Sequence, residues 1–140
     1  MGTLIAFVLA TAAVAHDNVQ NPAVQARMDS MVNIADSMKQ LGQMWRGAAP
    51  FDVDAARTAA AAIAAEAAAT PDLFAAREDD PKSEARPEIW TAFDDFTAKS
   101  AQLRDLAHNL SQSLADESDL DAGMKALSGA CRSCHAVYRE

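Results

Sequence analysis

The chain is nearly without cysteine: it has two among 140 residues, and both fall in the last ten. It has no basic cluster, and its net charge is -8, which argues against nucleic acid or an anionic membrane as partner. No stretch alternates apolar and polar residues as a half-buried strand does, so nothing in it predicts a sheet. The uncharged N-terminal run, 2–15, is shorter than the about 20 apolar residues that span a bilayer, and stable membrane insertion is not expected. No acid–base pair or nucleophile constellation stands out. A hydrolase or transferase is therefore not expected, and no enzyme of that kind is predicted.

What cysteine there is stands as Cys131-Arg132-Ser133-Cys134-His135, two thiols three residues apart with a histidine directly after the second. That is the C-x-x-C-H pattern for attaching a c-type haem. The thiols add across the haem vinyl groups, leaving thioethers, and the neighbouring imidazole binds the iron through a neutral nitrogen. On a helix, Cys131, Cys134 and His135 (i, i+3, i+4) share one face and serve one porphyrin edge and its centre. One covalent haem c is the expected cofactor. A C-x-x-C dithiol redox centre would belong beside a strand in a βαβ unit, and no strand pattern is near. Half a zinc site would need a second ligand pair, and His16 and His108 are isolated.

The run 2–15 closes on Ala13-Val14-Ala15, the small-residue pattern of a secretory cleavage site, although no Lys or Arg precedes it. This divides the chain into a signal peptide, 1–15, and a haem domain, 16–140, exported to a bacterial periplasm. Haem attachment of the c type takes place on that side of the membrane. The second part is the size of one domain.

Helical periodicity fills that domain. Asn21 as cap and Pro22 at the first position open a helix with Val24, Met28, Met31, Ala35, Met38, Gly42 and Trp45 inward, closed by Gly47. Asp52 caps an alanine-rich second helix, 53 to about 69, whose face around Ala60, Ile63, Ala64 and Ala67 is thin. Residues 70–86, with Pro71 and Pro81, read as a long connection with Leu73 and Phe74 tucked onto the fold. Pro87 opens a third helix whose seam runs Ile89, Phe93, Phe96, Ser100, Leu103, Ala107, Leu110 and Leu114; only Ser100 breaks it, and His108 lies off it. Residues 116–119 cap a fourth, with Leu120, Met124, Leu127, Cys131, Cys134 and Tyr138 inward. The expected fold is all-α: an antiparallel up-down-up-down four-helix bundle with the haem against the C-terminal helix. Its first and last helices are then antiparallel neighbours, which puts Met28 and Met31 level with the haem. Met38 and Met44 lie about 10 and 20 Å further along at about 1.5 Å per residue.

These features together resemble the class II cytochromes c, the cytochrome c′ family. The residues that carry the resemblance are Cys131-Arg-Ser-Cys134-His135-x-x-Tyr138-Arg139 at the C-terminus and Arg27 four residues before Met31. Arg46-Gly47-x-x-Pro50-Phe51-Asp52, Leu73-Phe74 and Pro87-Glu88-Ile89-Trp90 complete it. The resemblance implies His135 as proximal ligand, Arg139 near the proximal face and Arg27 near the haem propionates, where a guanidinium pairs with carboxylates. The family has low-spin members, which use a methionine at the position of Met31 as sixth ligand and transfer electrons. Its high-spin members leave the iron five-coordinate and bind nitric oxide or carbon monoxide.

Three functions follow. The first, which we adopt, is a periplasmic one-electron carrier with His135 and Met31 as axial ligands, acting with redox partner proteins that present a basic docking patch. The second is a protein for diatomic gases with a distal pocket of Met28, Met31, Trp90 and Phe93. The third is a dithiol oxidoreductase using free Cys131 and Cys134. The sequence allows a monomer or a homodimer.

Overall fold

The structure, a computed structural model, describes residues 18–140. The expected signal peptide and His16 lie outside the described residues. Helix α1 is Pro22–Trp45, α2 Val53–Leu73, α3 Glu88–Thr91, α4 Phe93–Ser113 and α5 Glu117–Tyr138. Each long helix whose start the sequence marked begins on its side-chain cap. Asn21 Oδ1 accepts from Ala23 N and Val24 N at 2.8 and 3.2 Å. Asp52 Oδ1 accepts from Asp54 N and Ala55 N at 3.0 and 2.9 Å, and Asp116 Oδ1 from Ser118 N and Asp119 N at 2.8 and 3.1 Å. Gly47, at φ +69°, ends α1 in the left-handed conformation that glycine adopts without steric cost.

The four long helices form an antiparallel bundle, with no strand among the described residues beyond an isolated bridge between Ala85 and Arg139. One end is an aliphatic core. Ala56, Ala60 and Ile63 of α2 are fully buried against Leu41, Leu114, Leu120 and Leu127. The alanines let α2 lie close to α1 and α4, so a face with little apolar bulk still closes a dense interior. At the other end Phe74, Ile89, Phe96 and Tyr138 form a second, aromatic cluster, Phe96 lying 5.1 Å from Phe74 and edge-on to Tyr138 at 5.4 Å. Among the four long helices, α1 and α5 touch far less than the other neighbouring pairs, and a cavity lies between them.

Three expectations are corrected. Helix α2 does not stop near 69 but runs through Pro71 to Leu73. Proline has no N–H to give Ala67 O, and the Ser100 hydroxyl on α4 donates to that carbonyl instead, at 2.7 Å. The polar break in the α4 seam and the proline inside α2 are one feature. Second, the expected third helix is two: Ala92, at φ -130° and ψ 44°, separates the single turn α3 from α4. Third, the inner stripe of α1 is wider than the apolar pattern: Arg27, Ser30, Ile34, Leu41 and Met44 are buried beside Val24 and Gly42, Met28, Met31, Ala35 and Met38 line the cavity between α1 and α5, and Trp45 is exposed. Arg27 and Ser30 make the first turns of that face partly polar, which an apolar pattern does not register. Trp45 Nε1 donates to Asp121 Oδ1 at 2.9 Å on the surface.

A candidate haem site between the first and last helices

The cavity between α1 and α5 has a volume of about 700 Å³, inside the roughly 300–1,000 Å³ range of cofactor sites. Cys131, Cys134 and His135 line it from the last turns of α5, and Met28, Met31 and Met38 from α1. The helical spacing does what the sequence required: both sulfurs and the imidazole reach one opening. Phe74, Ile89 and Phe96 close it on the aromatic side, and residues 82–85 form a further wall. That last segment is held to the end of α5 by backbone pairing. Arg86 N donates to Tyr138 O at 3.0 Å and Glu140 N to Glu84 O at 2.9 Å.

The electrostatics suit the same use. Burial pushes the thiols of both Cys131 and Cys134 above the ordinary cysteine value, so they stand as thiols, not as the thiolates a reactive dithiol centre needs. Burial, and then the nearby Arg139 charge, hold His135 below the ordinary imidazole value and so neutral, the state that ligates iron. Tyr138, buried beside Cys134, donates its hydroxyl to Asp95 Oδ2 at 2.6 Å and is pushed up to about 12 by that bond. Two half-buried cysteines and the adjacent histidine, lining an apolar opening of this size together with methionines of α1, fit a covalent haem.

The other predicted residues divide. Arg139 lines the cavity beside His135, with its Nε and Nη2 both 2.6 Å from Glu84 Oε2. Arg27 also lines the cavity but donates to three backbone carbonyls: Nε to Leu73 O at 2.9 Å, Nη1 to Glu78 O at 2.9 Å and Nη2 to Ala76 O at 2.6 Å. Trp90 and Phe93 are corrected, since neither is among the residues that line the cavity. The break at Ala92 turns them into the aromatic cluster, where Trp90 Nε1 donates to Phe74 O at 2.8 Å and Phe93 stacks on Phe96. Phe74, Ile89 and Phe96 supply the wall that Trp90 and Phe93 were expected to form. Sequence reading missed residues 82–85 and Lys99 as lining, because no periodicity marks a loop and a lysine off the apolar seam reads as solvated.

The Cytochrome C′ family profile matches residues 22–139. The chain is 37% identical over 117 residues to a cytochrome c-556 of Agrobacterium tumefaciens, covering 83% of this chain and 95% of the relative. Among solved structures, a cytochrome c′ from Rhodopseudomonas palustris superposes with a TM-score of 0.80 at 28% identity, covering 86% of this chain and 98% of that one. The oxidised cytochrome c556 of R. palustris superposes with a TM-score of 0.77 at 25% identity, covering 86% and 98%. The cofactor is accordingly a covalently attached haem c. With its bundle, its C-terminal haem motif and these relatives in agreement, the chain belongs to the cytochrome c′ family.

Proposed function

We propose that this protein is an exported one-electron carrier of the periplasm, in which Cys131 and Cys134 would form the thioethers and His135 and Met31 would ligate the haem iron. The observation that supports this is that Met31 of α1 and His135 of α5 both line the one cavity between those helices. The haem supplies a one-electron couple when bound. The chain does the rest: Cys131 and Cys134 fix the porphyrin edge, His135 presents a neutral nitrogen, and Met31 presents a soft thioether that favours ferrous iron and raises the potential. The lining is mostly apolar. Relatives named cytochrome c-556 favour this branch. Their sources are bacterial, and no helix among the described residues is long and apolar enough to cross a membrane. Redox proteins are the partners this role requires. An alternative, a five-coordinate binder of nitric oxide or carbon monoxide, would use the same apolar distal wall with Met31 turned off the iron.

The visible spectrum of the ferrous holoprotein tests the proposal. Sharp α and β bands that broaden in Met31→Ala are expected. A broad band in the parent protein, or a spectrum that Met31→Ala leaves unchanged, would exclude Met31 as ligand.

A further inference from the structure

We infer that Arg27 is a positioning residue: it caps the end of α2, clamps the following loop to α1, and so fixes where Met31, one turn further along α1, stands over the cavity. The inference rests on the carrier reading above, in which Met31 is the sixth ligand.

The last carbonyls of a helix have no partner within it. At the end of α2, Phe74 N reaches Thr70 O and Pro71 O, and Ala75 N reaches Asp72 O, but Leu73 O takes its hydrogen from Arg27 Nε. The guanidinium thus sits as a cation at a helix C-terminus, where the dipole favours it. Its two other nitrogens hold Ala76 O and Glu78 O, and Phe74 and Trp90 lie 4.8 and 5.4 Å from its central carbon. Arg27 is only 3% exposed. A planar fork of five N–H groups reaches three separate carbonyls at once; a lysine ammonium is a point donor and does not.

The same loop is tied to the start of α1 by three more hydrogen bonds. Asp80 Oδ2 accepts from Gln20 N and Asn21 N at 2.8 and 3.0 Å, and Asn21 Nδ2 donates to Glu78 Oε2 at 2.8 Å. Direct packing of α1 is far heavier on α2 than on α5, so the height of α1 over the cavity is fixed first from the α2 side. The loop and α2 set it, and Arg27 is their central fastening. This differs from a propionate partner, which would act on the charge of the haem edge and leave the position of Met31 alone.

The experiment uses the holoproteins Arg27→Gln, Arg27→Lys, Trp90→Phe and Met31→Ala. It reads carbon monoxide binding to the ferrous form, amide exchange across 74–80, and the pH dependence of the reduction potential. For Arg27→Gln we expect faster exchange across 74–80 and carbon monoxide binding faster by roughly tenfold, the factor that one hydrogen bond to a charged group is worth. The pH profile of the potential should keep its shape, and Arg27→Lys should fall between. Trp90→Phe removes the Phe74 O bond of the same loop and leaves Arg27 in place, so it should move both readouts the same way by less, and it serves if Arg27→Gln does not fold. Unchanged carbon monoxide binding with an altered pH profile in Arg27→Gln would make Arg27 a propionate partner and overturn the inference. If Met31→Ala itself left carbon monoxide binding unchanged, the ligand assignment would fall and the inference with it. Acceleration in Met31→Ala without acceleration in Arg27→Gln or Trp90→Phe would overturn the clamp alone.

Discussion

The hydroxyl of Ser100 donates, at 2.7 Å, to the carbonyl of Ala67, the acceptor that Pro71 leaves without its helical partner. Ser100→Ala should therefore leave a buried carbonyl unpaired and cost about 1–3 kcal/mol, read as a lower urea midpoint with the haem spectrum unchanged. Adding Pro71→Ala restores an N–H to that carbonyl. The double variant should recover part of the loss, and strictly additive effects would refute the coupling.

Tyr138 is the only tyrosine in the chain, which makes its ionisation readable by ultraviolet difference spectroscopy. The bond to Asp95 lifts it to about 12 in the folded protein, while the unfolded phenol titrates near its ordinary value of 10.0. A raised folded value means that the folded state holds the proton more tightly. Its contribution to stability is whole below pH 10 and is lost as pH rises from there through about 12. Tyr138→Phe should flatten that decline, and a tyrosinate signal appearing near the ordinary phenol value would count against the bond.

Asp80, only 6% exposed, accepts from the amides of Lys82, Gln20 and Asn21. The Lys82 amide first, and then Gln20, hold its carboxyl below the ordinary range. A depressed value gives stability that is present above the ordinary carboxylate range and lost as pH falls through the folded value. Asp80→Asn should remove that acid dependence and speed amide exchange at residues 20–24; exchange at the parent rate would mean the tie is not made in solution.

Covalent attachment is checked by mass. The exported holoprotein should carry one haem that survives denaturation, and replacing both Cys131 and Cys134 by alanine should abolish the added mass. A single replacement should leave a weaker, one-thioether product. No added mass in the parent protein would remove the cofactor assignment.

The parts of this protein that depend on near neighbours in the chain were legible. Asn21, Asp52, Asp116 and Gly47 mark helix ends because caps act within three or four residues, and Cys131, Cys134 and His135 share a face because α-helical spacing puts them there. The seam from Phe96 to Leu114 was readable for the same reason. Where the sequence misled, a distant partner had changed the local preference. Pro71 stays helical because Ser100, 29 positions later, replaces its missing donor. Arg27 lies on a buried face because loop carbonyls 46 to 51 residues away consume its hydrogens. Trp90 and Phe93 leave the cavity because the chain breaks at Ala92. Sequence alone determined the starts of α1, α2 and α5 and the covalent haem motif, since both obey spacing rules of a few residues. Only the tertiary structure decided which side chains wall the cavity and what holds α1 over it, since those depend on burial and on hydrogen bonds between segments that sequence distance does not relate.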